Sequence, residues 1–90
     1  MAEAHPILVV DDDAVSRHLL ARSLRRAELD HEVLASGQEA LDWLATRTPS
    51  LVLLDLVMPA PDGYAVLRAM RADPRVEDVP VVVLTALDAD

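Results

Sequence analysis

The most informative stretch of this 90-residue sequence is LVLLDLVMPAPDG, which spans residues 51–63. It begins as an unbroken apolar run, a pattern typical of a parallel β-strand that helices cover on both faces. Asp55 is the one ionisable residue in that run, and the prolines after it end strand pairing and favour a turn. A carboxylate is costly to ionise among apolar residues, but at the carboxyl end of a strand it can reach solvent, a metal or a substrate. Asp55 is therefore the first candidate for a functional residue.

Strand-like and helix-like segments alternate on both sides of this stretch. Helical periodicity is present from Ala14 to Ala27, from Gly37 to Thr46, and from Gly63 to the break at Asp73 and Pro74. Two other apolar strands are predicted at residues 7–10 and 81–84, and a weaker strand with charged and polar residues, typical of a sheet edge, is predicted at residues 31–35. The order β-α-β-α-β-α-β favours a doubly wound α/β fold, a parallel sheet with right-handed crossovers. We expect a disordered lead-in over residues 1–6 and one domain over residues 7–90.

The helices also carry local signals. Asp13 is placed to cap the first helix, Ser36 and Glu39 form a capping-box pattern at the second, and Asp62 precedes the third. The first helix should bury one apolar face and present arginines on the other, which we interpret as a solvated face. The predicted apolar face consists of Val15, Leu19, Leu20, Leu24 and Ala27, and the arginines are Arg17, Arg22, Arg25 and Arg26.

Composition narrows the classes of function. The sequence is 52% apolar, which excludes disorder, and it contains no Cys, which excludes disulfides and thiolate metal sites within these residues. The formal net charge of −8 argues against direct binding to nucleic acid. No apolar run is long enough to span a bilayer, and no signal-peptide pattern opens the sequence. We therefore expect a cytoplasmic protein that does not engage a membrane.

Polar residues follow three of the predicted strands: Asp11 and Asp12 the first, Asp55 the third and Thr85 the fourth. In a parallel sheet these strand ends lie along one edge, so the side chains should converge. Crowded carboxylates raise one another's pKa, and a divalent cation relieves the repulsion. Oxygen-only ligands favour Mg²⁺ or Mn²⁺. Taken alone, a helix cap explains Asp11 to Asp13 as well as a metal site does, and Thr85 alone is uninformative; the combined placement favours the metal site.

Three motifs at these positions resemble those of the receiver domain of two-component response regulators. They are ILVVDD at residues 7–12, LLDLVMP at 53–59 followed by Asp62 and Gly63, and PVVVLTA at 80–86. They occur in the family's order and cover essentially the whole sequence. The resemblance implies a flavodoxin-like sheet of order 2-1-3-4, with the family's fifth strand and flanking helices missing.

The resemblance also implies a role for each residue of the site. Asp55 would accept a phosphoryl group from a sensor histidine kinase or a phosphotransfer protein. Asp12 would bind Mg²⁺ directly together with Asp55, Asp11 would bind it largely through water, and the backbone carbonyl of Val57 would complete the protein ligands. The chain would then be a self-phosphorylating signalling domain rather than an enzyme, with slow autodephosphorylation.

Two further positions follow from the same resemblance. Thr85 would place its hydroxyl on the phosphoryl oxygens and so act as a conformational switch, and the small Ala86 would leave room for the phosphoryl group. Receivers also carry a Lys at the end of the fifth strand, whereas all eight basic residues here are Arg. We therefore interpret the sequence as a truncated or partial receiver, in which the edge of strand 81–84 could pair with a second copy to form a homo-oligomer.

Two other functions compete with this interpretation. The pattern Asp11-Asp12-Asp13-Ala14-Val15 also fits a phosphohydrolase of the haloacid dehalogenase type, with Asp11 as nucleophile and Asp13 as general acid. That reading explains Asp55 poorly and also requires a Lys. A phosphorylation-independent interaction module that keeps the acidic pocket is the third alternative.

Overall fold

The structure is a computed structural model, and it describes residues 5–84. Strands and helices alternate along the described chain as the sequence predicted. The elements are β1 (Ile7–Val10), α1 (Ala14–Arg26), β2 (His31–Leu34), α2 (Gly37–Leu44), β3 (Leu51–Leu54), α3 (Gly63–Arg71) and β4 (Val81–Val83). The second helix ends two residues before its predicted end, and β2 and β4 are each one residue shorter than predicted.

The four strands form one parallel sheet in the order β2-β1-β3-β4. This order confirms the predicted doubly wound topology. The register pairs Val10 of β1 with Leu34 of β2 and with Leu54 of β3, and Leu54 in turn pairs with Val83 of β4. The carboxyl ends of all four strands therefore lie at the same level, along one edge of the sheet.

Each helix begins where the sequence indicated, and a side chain caps the start of each one. The carboxylate of Asp13 accepts a hydrogen bond from the amide of Ser16 at 3.0 Å, and Asp62 accepts one from Ala65 at 3.0 Å. At α2 the hydroxyl of Ser36 accepts from the amide of Glu39, whose own carboxylate accepts from the amide of the residue before the cap. These bonds satisfy amide groups that a helix leaves without an internal partner, and so fix where each helix leaves the sheet.

The main apolar core lies between the sheet and the pair α2 and α3. It combines the central strands with the inner faces of both helices and with the loop before β4: Leu8, Val10, Ala40, Leu44, Val52, Leu54, Met58, Val66, Met70 and Val76. On the inner face of α3, Val66 and Met70 are fully buried and Leu67 is half-buried.

The prediction that α1 buries its apolar face is wrong for part of that face. No residue of α1 is fully buried; Val15 is 65% exposed and Leu19 is 55% exposed, whereas Leu20 and Leu24 are half-buried. The physical reason is that within residues 5–84 α1 packs mainly against β1 and β2, so the flank of its apolar face that points away from the sheet meets solvent.

Two residues that the sequence assigned to the lead-in contact the domain. The ring Nδ1 of His5 lies 3.0 Å from the carbonyl oxygen of Thr48, and the carbonyl of the buried Pro6 accepts from the amide of Ser50. Residues 1–4 lie outside the described part. Among the helices that the structure describes, none has the length and apolar character needed to cross a membrane.

Candidate metal centre

The sheet register places Asp11 and Asp55 side by side. Each follows directly after the last residue of its strand, and those last residues, Val10 and Leu54, are paired. The amide of Asp55 donates to the carbonyl of Val10 at 2.9 Å, and the amide of Asp11 donates to the carbonyl of Leu34 at 3.1 Å. Both acids are thus anchored by the backbone at the carboxyl edge of the sheet, where open α/β folds bind their ligands.

Asp12 completes a cluster with these two residues. Carboxylate oxygens of Asp11, Asp12 and Asp55, one from each, all lie within 4.8 Å of one another. Asp11 is buried with only 5% of its surface exposed, Asp55 is half-buried and Asp12 is exposed. The cluster therefore runs from the interior to the surface, so a ligand can reach it from solvent.

Two of the carboxylates are held by amide groups that follow them closely in sequence. The amide of Asp13 donates to Oδ1 of Asp11 at 2.9 Å, and the amide of Val57 donates to Oδ1 of Asp55 at 3.0 Å. This local pattern is common for Asp at turns. A carboxylate has about four lone-pair sites, so one such bond orients it without using up its capacity to bind a cation.

Electrostatics in the cluster disfavour full ionisation. Burial raises the pKa of the Asp11 carboxyl above its ordinary value, the hydrogen bond from the Asp13 amide lowers it, and the neighbouring Asp55 and Asp12 raise it further. Three carboxylates this close repel one another, and a divalent cation offsets that repulsion. The donor set is oxygen only, which fits Mg²⁺ or Mn²⁺. The residues present therefore suit the hard divalent cation that the sequence predicted.

Two glycines hold the loop after β3 in place. A Cβ added at Gly63 would lie 2.5 Å from the Cα of Leu56 and 2.9 Å from the carbonyl carbon of Asp55, with the Asp55 carbonyl oxygen closer still. A Cβ at Gly37 would likewise meet the carbonyl of Pro61. The first turns of α3 and α2 thus pack directly on the backbone of the loop that follows Asp55.

The structure brings together the three predicted acids Asp11, Asp12 and Asp55, while other predicted positions have different outcomes. Asp13 caps α1 and is not a member of the cluster. The Val57 amide bonds Asp55, and the metal-binding role of the Val57 carbonyl stays a prediction. Thr85 and Ala86, whose expected roles at the phosphoryl group follow from the family resemblance, lie outside the described residues.

Sequence analysis missed one residue near the site. The guanidinium of Arg17 donates from Nη1 to the backbone carbonyl of Asp11 at 2.8 Å. Arg17 was assigned to a solvated face because helical periodicity places it opposite the apolar residues. Only the three-dimensional path of the turn before α1 shows that this side chain reaches back to the end of β1.

Comparison with known families gives one match that covers nearly all of the sequence. The family model described as the response regulator receiver domain matches residues 7–90. Among characterised relatives, the response regulator MprA of Mycolicibacterium vanbaalenii is 45% identical over 83 residues, which are 92% of this chain and 35% of that protein. The chain therefore spans about a third of the length of such relatives.

Solved structures give the same result at the level of the fold. The N-terminal domain of a response regulator receiver protein from Methanoculleus marisnigri has a TM-score of 0.84 and 37% identity, covering 93% of this chain and 68% of that chain. The Mn²⁺-bound form of the response regulator Rcp1 has a TM-score of 0.81 and 34% identity, covering 91% of this chain and 66% of that one.

Proposed function

Because this chain belongs to the response regulator receiver domain family, we propose that Asp55 is the residue on which it is phosphorylated. Phosphorylation on an aspartate is the general function of that signalling family. The observation that carries the assignment is the convergence of Asp55 with Asp11 and Asp12 at one edge of the sheet. Asp55 directly follows β3, one of the two inner strands of the sheet, and is half-buried, so its carboxylate is oriented by the backbone and reachable from solvent.

The proposed reaction is a phosphoryl transfer onto a carboxylate oxygen. An oxygen of Asp55 attacks the phosphorus of a phosphohistidine on a sensor kinase or phosphotransfer protein. The new O–P bond forms as the N–P bond breaks, and the imidazole nitrogen keeps the electron pair of the broken bond. Asp11 and Asp12 would hold Mg²⁺ or Mn²⁺ together with Asp55 and the carbonyl of Val57. When bound, the cation offsets the repulsion between the attacking carboxylate and the anionic phosphoryl group.

The protein's own groups prepare this step. The Val57 amide holds one oxygen of Asp55, and the Asp13 amide holds one oxygen of Asp11, so the backbone orients both carboxylates before the reaction. The readout of phosphorylation is proposed to pass through Thr85, whose hydroxyl would bind the phosphoryl oxygens, with Ala86 leaving space for the group. Slow autodephosphorylation by water attack on the acyl phosphate would return the domain to its starting state.

The geometry of Asp13 disfavours the phosphohydrolase alternative. A general acid must be protonated to act, but the hydrogen bond from the Ser16 amide lowers the pKa of the Asp13 carboxyl. Its Oδ2 is also engaged as the cap of α1. Asp55 has no role in the phosphohydrolase alternative, although the fold places its carboxylate beside those of Asp11 and Asp12.

Phosphoryl incorporation from acetyl phosphate with Mg²⁺, followed by intact mass, tests the proposal. We expect one phosphoryl group on the unmodified chain, none on Asp55→Asn, and undiminished labelling of the control Asp62→Asn, which removes the same charge from a helix cap outside the cluster. Labelling that survives Asp55→Asn but is lost in Asp11→Asn would support the hydrolase. No labelling of any variant would favour a phosphorylation-independent interaction module.

We also propose that the outer edge of β4 allows self-association. Within residues 5–84, β4 pairs only with β3, and its Val82 and Val83 are 48% and 46% exposed. An apolar strand edge of this kind can pair with a second chain. Sedimentation over a concentration series should show reversible dimers of the 90-residue chain that Val82→Lys abolishes; a monomer at all concentrations would contradict this.

A further inference from the structure

Arg17 is tied to the end of β1 by its side chain. Its backbone amide donates to the carbonyl of Asp13 at 3.0 Å as part of the first turn of α1. Its half-buried side chain turns back along the chain, and Nη1 donates to the carbonyl of Asp11 at 2.8 Å. The guanidinium therefore bridges the helix and the turn at residues 11–13, which supplies two of the three acids of the cluster.

The hydrogen bond from Arg17 holds the backbone carbonyl of Asp11, which within residues 5–84 takes no part in the hydrogen bonds of the sheet or of the local turn. The Asp11 amide donates to Leu34 in the sheet, and its carboxylate accepts from the Asp13 amide. The Asp11 carbonyl lies beyond the last residue of β1 and accepts from Arg17. A hydrogen bond from a charged donor is roughly twice as strong as one between neutral groups. The orientation of the peptide that joins Asp11 to Asp12 thus depends on Arg17.

The other arginines of α1 have a different environment. Arg22, Arg25 and Arg26 are exposed, as expected for a solvated helix face. Arg17 differs from these residues because it is half-buried and because its guanidinium donates to a backbone carbonyl. The N–H groups of its planar guanidinium point in fixed directions, so the side chain can hold a single carbonyl in one orientation.

We propose that Arg17 is a positioning residue for the metal site. By holding the Asp11 carbonyl it keeps the turn at residues 11–13 in the conformation that directs the carboxylates of Asp11 and Asp12 towards Asp55. The inference rests on the proposed function of this cluster and adds a residue to it that contributes no metal ligand. Residues that orient ligands from outside the coordination sphere commonly change metal affinity by about 10- to 100-fold when mutated.

The test is a Mg²⁺ titration of the 90-residue chain, followed by NMR of the backbone amides, with the free energy of unfolding measured separately without metal. We expect Arg17→Ala to raise the Mg²⁺ dissociation constant about tenfold. Arg17→Met keeps the aliphatic stem of the side chain, so it serves as a second variant if Arg17→Ala folds poorly. We expect the same loss of Mg²⁺ affinity from it. Arg17→Lys keeps a charged donor and should recover part of the affinity. The matched control is Arg22→Ala, which removes the same charge from an exposed position of the same helix and should leave the affinity unchanged.

Two results would overturn the inference. One is an equal loss of affinity in Arg17→Ala and Arg22→Ala, which would mean that the loss does not depend on the hydrogen bond from Arg17 to the Asp11 carbonyl. The other is a loss of stability in Arg17→Ala and Arg17→Met with unchanged Mg²⁺ affinity, which would make Arg17 a purely structural residue. In both cases the unmodified chain still binds Mg²⁺ and is labelled on Asp55. Absence of Mg²⁺ binding by the unmodified chain would instead count against the metal site, and with it this inference.

Discussion

Gly63→Ala should destabilise the fold and displace Asp55, although two effects of this substitution oppose each other. Gly63 begins α3, and no glycine among the described residues has a positive φ, so alanine can adopt the backbone conformation. Replacement of glycine by alanine within a helix stabilises it by up to about 1 kcal/mol. Against this gain, the new methyl group would lie 2.5 Å from the Cα of Leu56 and 2.9 Å from the carbonyl carbon of Asp55.

The steric cost should exceed the gain in helix propensity. Ordinary contacts between carbon atoms lie at about 3.5–4.0 Å, so each of these approaches is too short by roughly 1 Å. The obstructing atoms belong to the backbone and cannot rotate away, so α3 and the end of β3 must move apart. Overpacking of this kind costs about 1–3 kcal/mol. Because several backbone atoms obstruct the methyl group, the cost should lie near the upper end of that range, and subtracting the gain leaves a net loss of about 2 kcal/mol in the free energy of unfolding. The Mg²⁺ site should also weaken, because the peptide that moves carries Asp55.

Urea unfolding followed by circular dichroism checks the predicted loss of stability, and a Mg²⁺ titration checks the predicted loss of Mg²⁺ affinity. The control Ala69→Gly lies at an exposed position of the same helix and measures helix propensity alone, at about 1 kcal/mol. A Gly63→Ala protein that is as stable as the unmodified chain and binds Mg²⁺ equally well would refute the reasoning, since it would show that the loop relaxes at no cost.

Three further outcomes follow from the structure. Asp11→Asn should stabilise the metal-free protein at neutral pH, because the pKa of Asp11 is raised in the folded state and its ionisation therefore opposes folding. In urea titrations at a series of pH values, the advantage of the variant should be absent below the ordinary pKa of 3.8, grow between 3.8 and the raised folded-state pKa, and stay constant above it. Mg²⁺ at 100 times its dissociation constant should stabilise the unmodified chain by about 2.7 kcal/mol in the same assay, and Asp12→Ala should lose that gain. Trp43→Phe removes the 2.9 Å hydrogen bond that Nε1 donates to Glu32, and it should lower the free energy of unfolding by about 0.5–1 kcal/mol in chemical denaturation. Equal stability of the variant and the unmodified chain would contradict this prediction.

Much of this fold could be predicted because its signals are local. Strand periodicity, the caps at Asp13, Ser36 and Asp62, and the alternation of elements together specify a parallel sheet. Once the sheet is parallel, its geometry brings residues that follow separate strands to one edge. For that reason Asp11, Asp12 and Asp55 could be grouped before their distances were known, although Asp55 lies more than forty residues after the other two.

The features that could not be predicted depend on what packs against each element. Helical periodicity placed Val15 and Leu19 on an apolar face, but periodicity does not say whether another element covers that face. The same limit hid the contact between Arg17 and the Asp11 carbonyl, and the contact between Gly37 and the loop at Pro61. Each joins segments whose relative position is set by tertiary packing, so no spacing rule in the sequence contains it.

The most direct test of the central claim is to locate the phosphoryl group on the unmodified chain. The protein would be labelled with acetyl phosphate and Mg²⁺, digested under conditions that preserve acyl phosphates, and its peptides fragmented to assign the modified residue. The account predicts a single label on Asp55 that hydroxylamine removes, as expected for an acyl phosphate. A label on Asp11, or on an acid outside the cluster, would contradict the assignment of Asp55 as the phosphoacceptor.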